Sequence, residues 1–232
     1  PEPSIELLDY AKAEIRIRVG NHYERDRLKS CEKEPDTVAW IESFEPGSVF
    51  WDVGANVGAY SLVAAKQEDI LAFAFEPHYA SFVALLTNLG INKMGFIVPF
   101  NIGLSDQSNL MFLKLSSVEA GSARHEVIYE RQEGSLSTIF LGIRGSDLVE
   151  VLGLRTPDYL KIDVDGHELQ VVAGCNGDVL NNLRGAIIEL DHNEPGTQGA
   201  VIDLMSDHGL EVTDKRLRNA KHNTYNYLFV RK

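Results

Sequence analysis

The run Asp52-Val53-Gly54-Ala55-Asn56-Val57-Gly58 sets an acid, an amide and two glycines directly after a stretch of apolar residues. Gly54 and Gly58 allow the chain to turn tightly and to approach a ligand closely. Glu76 follows Asp52 by 24 residues, at the end of a second apolar run over 70–75. A carboxylate placed there can accept hydrogen bonds from both hydroxyls of a ribose. A dinucleotide would require glycine at position 56, because that glycine admits the pyrophosphate; here it is asparagine. An acid at position 52 would repel a pyrophosphate and attract the ammonium group of an amino acid moiety. The ligand that joins an adenosine ribose to an amino acid without a phosphate is S-adenosylmethionine.

A second set of residues able to do chemistry is Asp163-Val164-Asp165-Gly166-His167-Glu168. Methyl transfer is an in-line displacement, so the protein must mainly hold a nucleophile close and aligned. A base helps, because a hydroxyl is a poor nucleophile while protonated. Asp163 can face a cationic sulfonium, and Asp163 and Asp165 point the same way if an extended strand continues through both. His167 titrates near neutral pH and is the first choice of base. Glu168 reads equally as a site residue and as an acid at a helix start. The expected site holds no metal; should Mg²⁺ take part, Asp163, Asp191 and Asn193 are the candidate oxygen ligands. His22-Tyr23-Glu24-Arg25 and the basic group Lys215, Arg216, Arg218, Lys221 and His222 read as solvated loops. The sharper alternatives are a cap on the ligand pocket for the first, and a contact for an acidic acceptor or a subunit for the second.

The run Asp52 through Ser61 resembles the first motif of the FkbM family of S-adenosylmethionine-dependent methyltransferases. Phe75-Glu76-Pro77, Asn101-Ile102-Gly103-Leu104-Ser105-Asp106 and Lys161-Ile162-Asp163-Val164-Asp165-Gly166-His167-Glu168 extend the resemblance over about 37–190. It implies a class I methyltransferase fold, Rossmann-like and doubly wound, with strand order 3-2-1-4-5-7-6 and strand 7 antiparallel. It implies O-methylation of a sugar, glycan or small natural product. Under that reading Asp52, Gly54, Ala55, Asn56, Gly58, Tyr60 and Ser61 hold the amino acid part, Glu76 and Pro77 the ribose, and Asn101, Gly103, Leu104 and Ser105 approach the adenine. Asp163, which also faces the cofactor, lines the reaction centre with His167 and Glu168. The family's usual Glu in the fourth-strand motif is Asp165 here. A nicotinamide-dependent oxidoreductase and a cofactor-binding protein without turnover are the rival readings.

These residues need a scaffold. Residues 1–48 read as a helical preface, with helices over 5–19 and after Pro35. From position 49 short apolar runs alternate with helix-length segments, and continuous apolar strands imply a parallel sheet buried on both faces. Strand–helix alternation implies right-handed crossovers and an α/β doubly wound sheet over 49–232. Residues 210–213 and 225–230 suggest an antiparallel pair at the sheet edge. The polar stretch over about 116–137 is a long loop, either a substrate-facing lid or a disordered insertion.

The 232 residues carry 22 Lys+Arg against 34 Asp+Glu, a net charge of −12. That balance argues against a nucleic-acid-coating surface, which needs clustered cations. No apolar run approaches the roughly 18 residues that cross a bilayer. Cys31 and Cys175 fit neither a zinc spacing nor a disulfide framework. The first residues lack the apolar core of a secretory signal, so the expected location is the cytoplasm.

Overall fold

The computed structural model describes residues 2–232. The chain opens with an antiparallel hairpin of β1 (Ser4–Leu7) and β2 (Arg16–Val19), where a helix was expected. The reason is a period of two: Ile15, Ile17 and Val19 are buried, while Arg16 and Arg18 between them are not. Three short helices follow, α1 (His22–Arg27), α2 (Ser30–Lys33) and α3 (Pro35–Ile41). The helix after Pro35 is as expected, and Trp40, Ile41 and Phe44 enter the core.

The main alternation runs β3 (Val49–Val53), α4 (Ala59–Ala64), β4 (Leu71–Phe75), α5 (Tyr79–Asn92) and β5 (Ile97–Phe100). A side sheet comes next, β6 (Gly103–Leu104), β7 (Asn109–Lys114), β8 (Glu126–Ile128) and β9 (Ser137–Ile143). The alternation then resumes with α6 (Gly145–Glu150), β10 (Tyr159–Ile162), α7 (Glu168–Gly174), α8 (Asp178–Asn182), β11 (Gly185–Asp191), α9 (Pro195–Asp207), β12 (Leu210–Asn219) and β13 (Thr224–Arg231). The seven-stranded sheet has the order β5-β4-β3-β10-β11-β13-β12, with β13 antiparallel to both its neighbours. Numbered along this sheet alone, that is 3-2-1-4-5-7-6 with the seventh strand reversed.

Both faces of the sheet are covered, which is why its strands are apolar throughout. Val49, Trp51 and Val53 pack with Val171, Val172, Leu180 and Met205 of α7, α8 and α9. Phe50, Ala72 and Ala74 pack with Leu62, Leu85, Ile15, Ile17 and Trp40 on the other side. The N-terminal 48 residues thus share a core with the sheet. Cys31 and Cys175 are free and buried. Among the described residues no helix is long and apolar enough to cross a membrane.

Two loop expectations change. The 116–137 stretch contains β8 and joins the side sheet, whose order is β6-β9-β7-β8. Lys215, Arg216 and Arg218 lie within β12, which runs to Asn219, so they are strand residues and not a solvated hairpin loop. Tyr225 and Tyr227 on β13 draw Lys215 onto their rings, and Arg216 pairs with Asp214.

Candidate active site

Strand pleating decides where the first motif points. Successive side chains of β3 alternate between faces, so Asp52 shares the α4 side with Phe50. There its Oδ2 accepts from Ser61 Oγ at 2.6 Å, and the residue is 1% exposed. Lys161 is its register partner on β10 and lies on the same face. Burial raises the Asp52 carboxyl pKa, with Lys161 and Ser61 pulling it back. Asp52 and Ser61 therefore brace the loop from beneath and line none of the three principal cavities.

The loop itself closes over β4. Gly54 and Ala55 N–H both donate to the Phe75 carbonyl at 3.0 Å. Asn56 sits at φ 51° and sends its N–H to Glu76 Oε2 at 2.8 Å. Glu76 Oε1 accepts from His78 N–H at 2.7 Å. Burial nonetheless pushes the Glu76 carboxyl up to about 7, because two backbone donors offset only part of the lost hydration.

Three cavities meet here, and Asp163 and Asp165 line all of them. The first, at the strand tips, runs from Glu76 and Pro77 past Gly103 and Leu104 to an apolar wall of Leu113, Val127 and Phe140. Gly103 makes room for that wall, since a Cβ there would lie 2.5 Å from Phe140 Cε2. His167 also faces this cavity and meets Ser105 Oγ at 2.9 Å through Nε2; burial lowers its pKa. Ser105 is buried beneath. Asn101 lies outside the cavity and holds the backbone carbonyls of Glu76 and Pro77 at 2.8 and 3.3 Å.

The second cavity lies between the glycine loop and the N-terminal segment, lined by Ala55, Asn56, Tyr60, Lys161 and Arg27. Lys161 is 2% exposed, donates to Asp163 Oδ2 at 2.9 Å, and sits 4.9 Å over the Tyr60 ring. Burial disfavours its charge, but Asp163, Glu34 and Asp52 hold its pKa above the usual lysine value. Burial likewise opposes the Asp163 carboxylate, yet Lys161 and Arg218 keep its pKa below normal. Arg218 reaches this network from β12, 2.8 Å from Glu34 and 3.5 Å from Glu189.

The third cavity opens beside β11 and α9 and is walled by Glu168, Glu189, Asp191, Glu194, Gln198, Arg124 and His222. Glu168 stands both at a helix start and at the cavity wall. It starts α7 and accepts from Gly166 N–H at 2.9 Å, while its carboxyl faces the cavity with a pKa raised by burial to about 7. Strand β10 ends at Ile162, so Asp165 is not a strand residue; it sits at φ 54° and accepts from Arg124 N–H at 2.6 Å. Asp191 Oδ1 is engaged by Asn193 through both its backbone and side-chain N–H groups, each at 2.7 Å. Asn193 is thus bonded to Asp191 and is not among the residues that line the cavity shared by Asp163 and Asp191. Among the described residues no group of three or more His, Cys, Asp or Glu is placed to hold a metal ion. The candidate Mg²⁺ set does not fit.

A buried carboxylate at the second strand, an apolar slot beside it and a carboxylate junction at the fourth strand thus share one crevice at the strand ends. A family model described as the methyltransferase FkbM domain matches residues 52–212. The chain belongs to the FkbM methyltransferase family. It is 31% identical over 176 residues to the hexuronic acid methyltransferase AglP of Haloferax volcanii, covering 75% of this chain and 70% of that one. It is 27% identical over 194 residues to the 31-O-demethyl-FK506 methyltransferase FkbM of Streptomyces tacrolimicus, covering 72% and 74%. The crystal structure of FkbM from Methylobacillus flagellatus superposes with a TM-score of 0.53 at 14% identity, over 89% of this chain and 52% of that one. TYW2 of M. jannaschii, solved in complex with AdoMet, superposes with a TM-score of 0.51 at 10% identity, over 99% and 87%. Both likenesses concern the fold.

For an FkbM methyltransferase the nicotinamide reading falls away. Several residues around the site carried no sequence signal. Phe140 and Val127 belong to strands of the side sheet that interrupts the βα alternation. Ser122, Ala123 and His125 come from the 116–137 stretch. His125 lies beside His78 with tilted rings and centroids 4.3 Å apart, and burial lowers its pKa to about 4. Lys161 could have been found, since a lysine inside an otherwise apolar strand must have partners.

Proposed function

We propose that the chain is an S-adenosylmethionine-dependent O-methyltransferase that acts on a carbohydrate hydroxyl. The observation that carries this reading is Glu76, a buried carboxylate at the rim of a cavity that continues into an apolar slot. Asn56 Oδ1 supports it: the atom is buried without a partner among the described residues, and Asn56 lines two of the cavities. The bound cofactor supplies a methyl group on a cationic sulfonium, activated for displacement. Glu76 would accept from the ribose hydroxyls, and Leu113, Val127 and Phe140 would enclose the base. Asp163, held ionised by Lys161, would favour the cationic end, and that pairing makes it a poor proton acceptor.

Glu168 suits the base better than His167 does. His167 is tied to Ser105 on the cofactor side, whereas Glu168 faces the third cavity with a carboxyl that titrates near 7. Glu168→Gln is expected to lower kcat by about 100-fold and to flatten its rise with pH through 7, leaving cofactor affinity unchanged. Unchanged kcat would remove Glu168 from the chemistry.

The third cavity is the acceptor's place under this reading. Its lining carries seven acidic side chains and one guanidinium, Arg124. Asp163, Glu189 and Glu126 have Lys161, Arg218 and Lys114 as partners, which leaves Asp165, Glu168, Asp191 and Glu194 without an ion-pair partner among the described residues. Like charges in a confined site disfavour each other, so the sugar of the Haloferax relative carries over but its acid group does not. Lys215 and Arg216, engaged elsewhere, offer no counter-charge. The test is labelled methyl transfer from S-adenosylmethionine to matched hexosides and hexuronosides. Transfer to the neutral sugars is expected to dominate. Cofactor binding without transfer to any hydroxyl would favour the non-catalytic alternative.

A further inference from the structure

The second cavity holds charges of both signs, and its cation on the N-terminal side lies outside the 52–212 match of the family. Arg27 ends α1 and is half-buried at the cavity wall. Arg18 and Arg25 on the neighbouring segments are paired with Glu24 and Glu6. Arg27 instead spends its Nε–H on the Gly121 carbonyl at 3.0 Å, and among the described residues it has no carboxylate within 4.0 Å. A guanidinium carries five N–H donors in a planar fork, so the Nη side of Arg27 remains for an anion. The other cation of this cavity, Lys161, is already committed to Asp163. Arg27 is close enough to the site for its charge to oppose the rise that burial imposes on Glu76 and Asp165.

An amino acid end brings one cation and one anion. Asp163 and Asp165 complement an ammonium group, but they would repel a carboxylate unless a cation stood nearby. We infer that Arg27 binds the α-carboxylate of the methyl donor, so that the N-terminal segment completes the cofactor site. This rests on the S-adenosylmethionine reading above. Arg27 is fixed for this task by the loop opposite it. Gly121, at φ 81°, packs so close to α1 that a Cβ would lie 2.8 Å from Glu24 N, and Asn21 Nδ2 donates to the Ala120 carbonyl at 2.9 Å. Residues near 120 and α1 therefore form one roof, and the arginine hangs from it.

The test compares ligands that differ in the carboxylate alone. Calorimetry is run with S-adenosylmethionine, decarboxylated S-adenosylmethionine and methylthioadenosine on the wild type, Arg27→Gln and Arg27→Lys. The wild type is expected to prefer the intact cofactor over its decarboxylated form by about 10- to 100-fold, the range for a charge-assisted hydrogen-bonded pair. At pH 9, where Glu76 is ionised with or without the Arg27 charge, Arg27→Gln is expected to lose that preference while binding methylthioadenosine as the wild type does. Arg27→Lys should recover part of it, because the charge returns without the fork. Equal weakening of all three ligands in Arg27→Gln would mean that Arg27 only supports the roof, and would overturn the inference. A wild type that binds none of the three would instead remove the cofactor reading on which the inference rests.

Discussion

Replacing Gly54 by alanine is expected to abolish cofactor binding and to cost more than about 4 kcal/mol of folding stability. The added Cβ would lie 2.0 Å from the Asp163 carbonyl oxygen and 2.9 Å from its carbon. That carbonyl cannot move aside cheaply, because Asp163 N–H is bonded to the Val53 carbonyl at 3.0 Å, at the tip of the β3–β10 pair. Gly54 also sits at φ 83°, which costs an L-residue roughly 1–2 kcal/mol before any overlap. Gly58→Ala provides the contrast. It has a similar φ of 87°, but its Cβ would meet Leu85 Cδ1 at 2.3 Å, the end of a buried side chain and not backbone. Its expected cost is about 3 kcal/mol, the backbone penalty plus overpacking against the buried leucine. Urea unfolding of the two variants separates these cases. Equal stabilities would mean that the close approach of Gly54 to the Asp163 carbonyl does not limit the fold.

The same approach shows why the motif was readable and where reading stopped. Glycines, a second-strand acid and an acid at the fourth-strand tip announce a ligand crevice, since only backbone turns at strand ends need them in that order. Buried parallel strands announce themselves as apolar runs, so the doubly wound sheet is legible from pattern, whereas its strand order comes only with the family resemblance. Asp52 was misplaced by one step of the pleat. It precedes the strand tip by a single residue, Val53, and the side-chain period of two turns it under α4 to Ser61 and Lys161. The hairpin at 4–19 was misread because Ile5, Leu8 and Ile15 also fall near helical spacing, and two opposed strands need only four residues each. The side sheet was hidden for another reason. Most residues of its strands β7 and β9 are exposed or half-buried, and its apolar contribution to the site, Leu113, Val127 and Phe140, is flagged by no motif. Arg218 reads as a solvated charge because its partners Glu34 and Glu189 are remote in sequence, and nothing in the sequence marks Arg27, whose partner is Gly121.

Glu76 gives the second large effect, and its sign follows from burial. Its carboxyl sits near pKa 7 in the folded protein against 4.5 unfolded. Between those values the native state keeps a proton that the unfolded chain has lost. Stability from this group is therefore full below about 4.5 and falls as pH rises through 7, by about 3 kcal/mol in total. Glu168 and Glu189, raised by burial to about 7 and about 8, act in the same direction. Wild-type protein without ligand should thus be more stable to urea at pH 5.5 than at pH 8, and Glu76→Gln should show a shallower decline. A ligand whose ribose donates to the carboxylate reverses the preference. Its affinity should rise about tenfold per pH unit up to 7 and then level off, as expected when binding requires loss of one proton. Methylthioadenosine is the cleaner probe, because it carries the ribose and adenine without a titrating amino acid end. In Glu76→Gln the pH slope should vanish. Glu76→Ala should weaken binding by about 10²- to 10⁴-fold, two charge-assisted hydrogen bonds of roughly 1.5–3 kcal/mol each. The alanine variant also strands the N–H groups of Asn56 and His78, so its folding is checked alongside. A slope that persists in Glu76→Gln would assign the proton to another group, with Glu168 the next carboxyl to replace.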